Sequence, residues 1–160
     1  MRSAAVSQTL LRFIASTPAR TFLIYPLCVI AFELAIRRGR LVIVPWGAPL
    51  LAWGYLQYRF TGNYRLHHGG GGPGITVPPE RLVADGLYAY TRNPMYLGHL
   101  IFMLGLAVTF WSWLALALLA VHIVWFHRRV IDDEARLRTL FGAQYVDYQA
   151  RVKRWIPGLF

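Results

Sequence analysis

An all-α integral membrane fold is predicted by three features of this 160-residue sequence. Hydrophobic residues make up 56% of it and charged residues only 15%, against about a half and a quarter in soluble domains. From Asn93 to Phe126 there is no Asp, Glu, Lys or Arg, a run that suits two lipid-buried helices folded into a hairpin. The basic residues flank the apolar runs, so the formal net charge of +10 reads as anchoring to anionic headgroups, and no nucleic-acid partner is expected. The expected architecture is four short transmembrane helices with an N-terminal amphipathic helix and a C-terminal cytosolic helix. All belong to one domain, 1–160, with membrane helices over 1–79 and the functional half over 80–160.

In chain order, residues 4 to 16 place Val6, Leu10, Phe13 and Ile14 near helical spacing between Arg2 and Arg12, which predicts a helix lying on the membrane surface and no cleaved signal peptide. Thr21 to Ile36 is the first span, with Pro26 bending or breaking it and Glu33 paired to Arg37. The lone Cys28 is read as an inert packing residue. Leu41 to Tyr58 is the second span, interrupted by Pro45 and Pro49 and belted by Trp46, Trp53, Tyr55 and Tyr58. Arg59 to Asp85 reads as a polar connection whose His67–Gly74 stretch is a flexible linker, since neither the strand nor the Lys-Ser/Thr pair of a phosphate loop is present.

Met95 to Phe110 and Trp113 to Phe126 form the third and fourth spans, joined around Ser112. Each is short, roughly 24 Å at 1.5 Å per residue. His99 and His122 inside them read as packed, hydrogen-bonded histidines. Arg128 to Arg151 is one charged helix with Leu137, Leu140, Phe141, Tyr145 and Tyr148 along one face. All 17 Lys and Arg except Arg37, Arg38 and Arg40 then fall on one side, so positive-inside logic puts both termini and the polar clusters in the cytosol of a bacterial inner membrane or its equivalent.

No dinucleotide turn, Ser-His-Asp set, Cys nucleophile or metal-binding His pair can be assembled, and no metal is expected. What remains are two polar clusters bracketing the hairpin: Tyr88, Tyr90, Arg92, Asn93 and Tyr96 before it, and His127 to Arg129 with Asp132 to Glu134 after it. If the hairpin folds back, the clusters meet. Aromatic faces can stack an adenine or hold a cation, carboxylates can accept from hydroxyls or an amine, and arginine can grip an anion.

The ordered motifs Leu82-Val-Ala-Asp-Gly-Leu-Tyr88, Arg92-Asn-Pro-Met-Tyr-Leu-Gly98 and Asp133-Glu-Ala-Arg-Leu137, followed by Phe141-Gly142, Tyr145, Tyr148 and Ile156-Pro157, resemble the C-terminal half of the isoprenylcysteine carboxyl methyltransferase family, which is related to membrane phospholipid methyltransferases. The resemblance covers residues 80 to 157. It implies a membrane enzyme that transfers a methyl group from S-adenosylmethionine, with Leu82, Val83, Tyr88, Asn93, Pro94, Met95, Tyr96 and Asp133 lining the cofactor pocket. Asn93 stands where the family usually has His, and Asp133 where it often has Glu.

Arg129 would face a carboxylate of a lipidic or small hydrophobic acceptor, whereas an amine acceptor would need Glu134, Asp133 or one of the histidines as a base. Two other readings stay open at this stage: an amine, phospholipid or thiol methyltransferase, and a non-enzymatic transport or assembly subunit. Oligomeric state is not legible.

Overall fold

The computed structural model describes residues 16–72 and 77–156. The surface helix expected over 4–16 therefore falls largely outside the described residues, as does Pro157. Those described are helical, with no strand among them. Helix α1 is Thr17–Ile36, α2 Ala48–Gly69, α3 Pro94–Phe110, α4 Trp113–Phe141 and α5 Ala143–Arg151. Helices α1 and α4 are long and apolar enough to cross a membrane, and α3 is apolar but shorter, at 17 residues. The fold is that of an all-α membrane protein.

Three boundaries differ from the sequence reading, each for a local reason. Pro26 does not break α1. A wide π turn over Arg20–Ile24 precedes it, with the Tyr25 N–H bonded to the Arg20 carbonyl, and such a turn absorbs the missing donor and the ring clash of the proline. The second helix starts at Ala48 and runs to Gly69, so the start of the expected linker, His67 and His68 included, is helical. Pro45 opens a 3-10 turn over Pro45–Gly47 and Pro49 lies in the first turn of α2, where its missing N–H costs nothing. The third difference concerns α4, which continues through the charges after Phe126 as a single helix of 29 residues. No breaker intervenes until Gly142, whose φ of 52° is open to a residue without Cβ; its carbonyl then accepts from Tyr145 and Val146 to start α5.

The chain packs as two compact units, each drawing on both halves of the sequence. The first comprises the described residues up to Tyr55 with Ile101–Ala120. Its core is Val29, Leu106 and Ala115, surrounded by Tyr25, Leu51 and Phe102. Helices approach closely through glycine: a Cβ on Gly47 would fall 2.1 Å from Thr109 Oγ1 and 2.6 Å from its backbone nitrogen. Buried Glu33 pairs with Arg37 at 2.6 Å, and Arg37 also donates to the Trp111 carbonyl, as the spacing suggested. Cys28, by contrast, is exposed.

The second unit comprises Leu56–Leu100 and the residues from Val121 onward. One core cluster joins Tyr96, Phe126 and Val130, with Leu100, Trp125 and Trp155 against them. Another joins Tyr145, Tyr148 and Val152 to Leu82, Ala84, Leu137 and Phe141. That second cluster clamps the segment before the Gly86–Ala89 turn onto the corner between α4 and α5.

Candidate functional site

The site lies wholly within the second unit and is built from four stretches. On α2, Gln57, Thr61 and Arg65 recur every four residues and are all buried, forming one polar stripe. Gln57 Nε2 donates to the Pro94 carbonyl at 2.9 Å, tying α2 to the start of α3. Arg65 reaches the carbonyls of Gly72 and Val77 at 2.9 and 3.3 Å. The amides of Glu80 and Arg81 both donate to the Gly69 carbonyl. The connection after α2 is thus fastened at both ends.

Thr91, Arg92 and Asn93 are held by the tail after α5. The Arg92 amide donates to the Lys153 carbonyl, the Thr91 hydroxyl to the Arg154 carbonyl and Asn93 Nδ2 to the same carbonyl, all within 3.2 Å. Pro94 opens α3 at the position that favours proline, and the Asn93 carbonyl accepts its first helical bond from Leu97.

The two clusters bracketing the hairpin do meet. Tyr96 Oη donates to Asp133 Oδ2 at 2.7 Å and accepts from Arg129 Nε at 3.1 Å. Asp133 is also paired with Arg136. One residue further on, Glu134 is buried and gathers Arg92 at 3.1 Å, Arg154 at 2.9 Å and Gln149 at 3.2 Å, with Asn93 Nδ2 at 3.4 Å. A buried carboxylate needs such a shell of donors.

These contacts enclose a cleft of about 780 Å³, its open mouth included, within the size range of small-molecule sites. Leu82, Val83, Tyr88, Asn93, Pro94, Met95, Tyr96 and Asp133 all line it. Arg129 and Glu134 do not. Arg129 touches the wall from outside through the Tyr96 hydroxyl, and Glu134 is spent on the Arg92–Arg154 knot. Sequence reasoning missed Arg65, Arg136, Tyr145 and Tyr148 as wall residues. The four-residue repeat of Gln57, Thr61 and Arg65 was the available signal for the first, and it was hidden by treating Arg59 onward as a linker.

Burial pushes the Tyr88 phenol up to about 12 and raises those of Tyr145 and Tyr148 as well. All three stay protonated at neutral pH, and Tyr148 spends its proton on the Tyr88 carbonyl at 2.7 Å. The hydrogen bond to Glu134 raises Arg154 further above its usual value. The wall thus offers aromatic and aliphatic faces, one carboxylate and three guanidinium groups, of which that of Arg92 is committed to Glu134. That set fits S-adenosylmethionine: flat apolar surface for adenine, Asp133 for hydroxyls or an ammonium, Arg65 or Arg136 for a carboxylate, and phenol faces for a sulfonium. No group of acids, histidines or cysteines suited to a metal occurs among the described residues.

Fold and site together define a helical membrane protein with a cleft for a small molecule. A model of the phospholipid methyltransferase family matches residues 46–144, and the chain belongs to that family. The expected kinship with isoprenylcysteine carboxyl methyltransferases holds. The chain is 36% identical over 78 residues to the protein-S-isoprenylcysteine O-methyltransferase of Schizosaccharomyces pombe, covering 48% of this chain and 33% of that protein. It is 37% identical over 80 residues to protein-S-isoprenylcysteine O-methyltransferase B of Arabidopsis thaliana, covering 49% and 40%. The solved structure of the eukaryotic intramembrane Ras methyltransferase ICMT shares the fold, with a TM-score of 0.63 at 20% identity over 90% of this chain and 53% of that one. The chain spans well under half the length of these curated relatives.

Proposed function

We propose that this chain is an S-adenosylmethionine-dependent methyltransferase that esterifies a carboxylate on a lipidic or small hydrophobic acceptor. The cofactor would sit in the cleft walled by Leu82, Val83, Tyr88, Asn93, Pro94, Met95, Tyr96 and Asp133. Bound there, it supplies a methyl group already activated on a sulfonium, which leaves as a thioether when the acceptor oxygen bonds to the methyl carbon. The chain's own residues have to align the partners and exclude water. Tyr96, fixed between Asp133 and Arg129, sets the wall nearest the cation that would hold the acceptor. The domain would then comprise membrane helices over 1–79 and a cofactor-binding catalytic half over 80–160, with termini and cleft facing the cytosol, a placement supported by the skewed Lys and Arg distribution.

One observation favours a carboxylate over an amine acceptor. An ionised carboxylate needs no base, whereas an ammonium must lose a proton first. Both acids of the site are already engaged, Asp133 by Tyr96 and Arg136, Glu134 by two arginines. The family model is described by phospholipid methylation, which keeps the amine headgroup as the competing reading. Membranes containing the chain and labelled S-adenosylmethionine, given a farnesylcysteine derivative or phosphatidylethanolamine, separate the two. Base-labile label on the prenylated acid, lost on Arg129→Ala, is the expected result; label only on the amine lipid, unchanged by Arg129→Ala, would overturn the carboxylate reading.

A further inference from the structure

A second depression in the same unit is walled by Leu97 and Leu100 of α3 and by Ile123 and Val124 of α4. With its open mouth it reaches about 1480 Å³, nearly twice the cofactor cleft and far beyond a packing void. Ile123 and Val124 are half exposed, which bilayer hydrocarbon tolerates and water does not. One helical turn further along α4, the same face changes to His127 and Arg128, the first charged or titratable side chains after the apolar stretch of that helix.

The end of the groove is basic on every side. Arg92 stands before α3, His127 and Arg128 on α4, and Arg154 on the tail, and none of the groove's lining residues is acidic. Arg92 and Arg154 already share Glu134. Arg128 is exposed and has no hydrogen bond or ion pair among the described residues, Asp132 included. Trp155 Nε1 donates to His127 Nδ1 at 3.3 Å, which leaves Nε2 as the donor of the neutral ring. Apolar walls that end in two donors unpaired among the described residues, Arg128 and the His127 Nε2–H, match an amphiphile with an anionic head.

We propose that this groove holds one anionic glycerophospholipid of the surrounding bilayer, an acyl chain along Leu97, Leu100, Ile123 and Val124 and the phosphate at Arg128 and His127. The site is distinct from the cofactor cleft and stands whether or not the methyl-transfer reading does. Because Arg92 borders both cavities, the lipid would brace the loop that carries Asn93.

The full chain, purified in a mild detergent, can be titrated with phosphatidylglycerol and with phosphatidylcholine and the bound lipid counted by native mass spectrometry. The expected result is one phosphatidylglycerol retained in preference to phosphatidylcholine, a preference cut about fivefold by Arg128→Gln and binding of both lipids lost in Val124→Trp, which fills the groove. S-adenosylhomocysteine binding, measured on the same samples, reports folding and tests the methyl-transfer reading separately. Equal retention of the two lipids, a preference untouched by Arg128→Gln, or competitive displacement of phosphatidylglycerol by a prenylcysteine acid would overturn the proposal; the last would make the groove the acceptor's.

Discussion

The two units of this chain are held by opposite means. The first relies on apolar packing and close backbone approach, with Gly47 against Thr109 and a buried ion pair at Glu33. In the second, a buried carboxylate, Glu134, gathers donors from the loop before α3, from α5 and from the tail. Polar knots are costly in a low-dielectric setting, and this one is concentrated where a shaped, charged cleft has to be held open. The apolar unit needs no such arrangement, because lipid and close packing suffice.

That contrast can be broken from either side. Glu134→Ala leaves the partly buried Arg92 and Arg154 without their acid and should have the largest effect, a loss of about 3 kcal/mol in the second unit. Chemical unfolding in detergent would measure it, and Glu134→Gln should recover part of the loss. Gly47→Val forces a side chain onto the Thr109 backbone and should cost about 1 to 3 kcal/mol, while S-adenosylhomocysteine affinity in the folded fraction stays unchanged. If Gly47→Val abolished ligand binding in folded protein, the cleft would not be a property of the second unit alone.

Three further effects sharpen the picture of the cleft. Asp133→Asn removes the one carboxylate of the wall and should weaken S-adenosylhomocysteine binding roughly thirtyfold, the worth of one charged hydrogen bond of about 2 kcal/mol. Tyr96→Phe, which deletes only the hydroxyl, should weaken it less. The Tyr88 phenol keeps its proton up to about 12, whereas an unfolded tyrosine ionises near 10. Its contribution to stability is complete below pH 10 and is lost as pH rises from 10 toward 12. Tyr88→Phe should flatten that limb of a stability-against-pH curve.

The meeting of Tyr96 with Asp133 was legible in the sequence because a long uncharged run has one economical fold, a hairpin, and a hairpin returns its two polar ends to the same level. The eight residues implied by the family resemblance all line the cleft. Helix boundaries were less legible. Charges after Phe126 mark where lipid ends, but backbone hydrogen bonds ignore that boundary, so α4 runs on to Gly142. Histidine and glycine at 67–72 suggested a linker, yet Gln57, Thr61 and Arg65 needed a helix to reach one face. Glu134 read as a base because its partners, Arg92, Asn93, Gln149 and Arg154, are up to 42 residues distant in sequence and converge only in space.

The most direct measurement is calorimetric titration of S-adenosylhomocysteine into the full chain in lipid nanodiscs, alongside Asp133→Asn. One site per chain, weakened by that substitution, is expected. Correctly folded protein that takes up no S-adenosylhomocysteine, or takes it up equally well without the Asp133 carboxylate, would contradict the placement of a methyl donor between Tyr88, Tyr96 and Asp133.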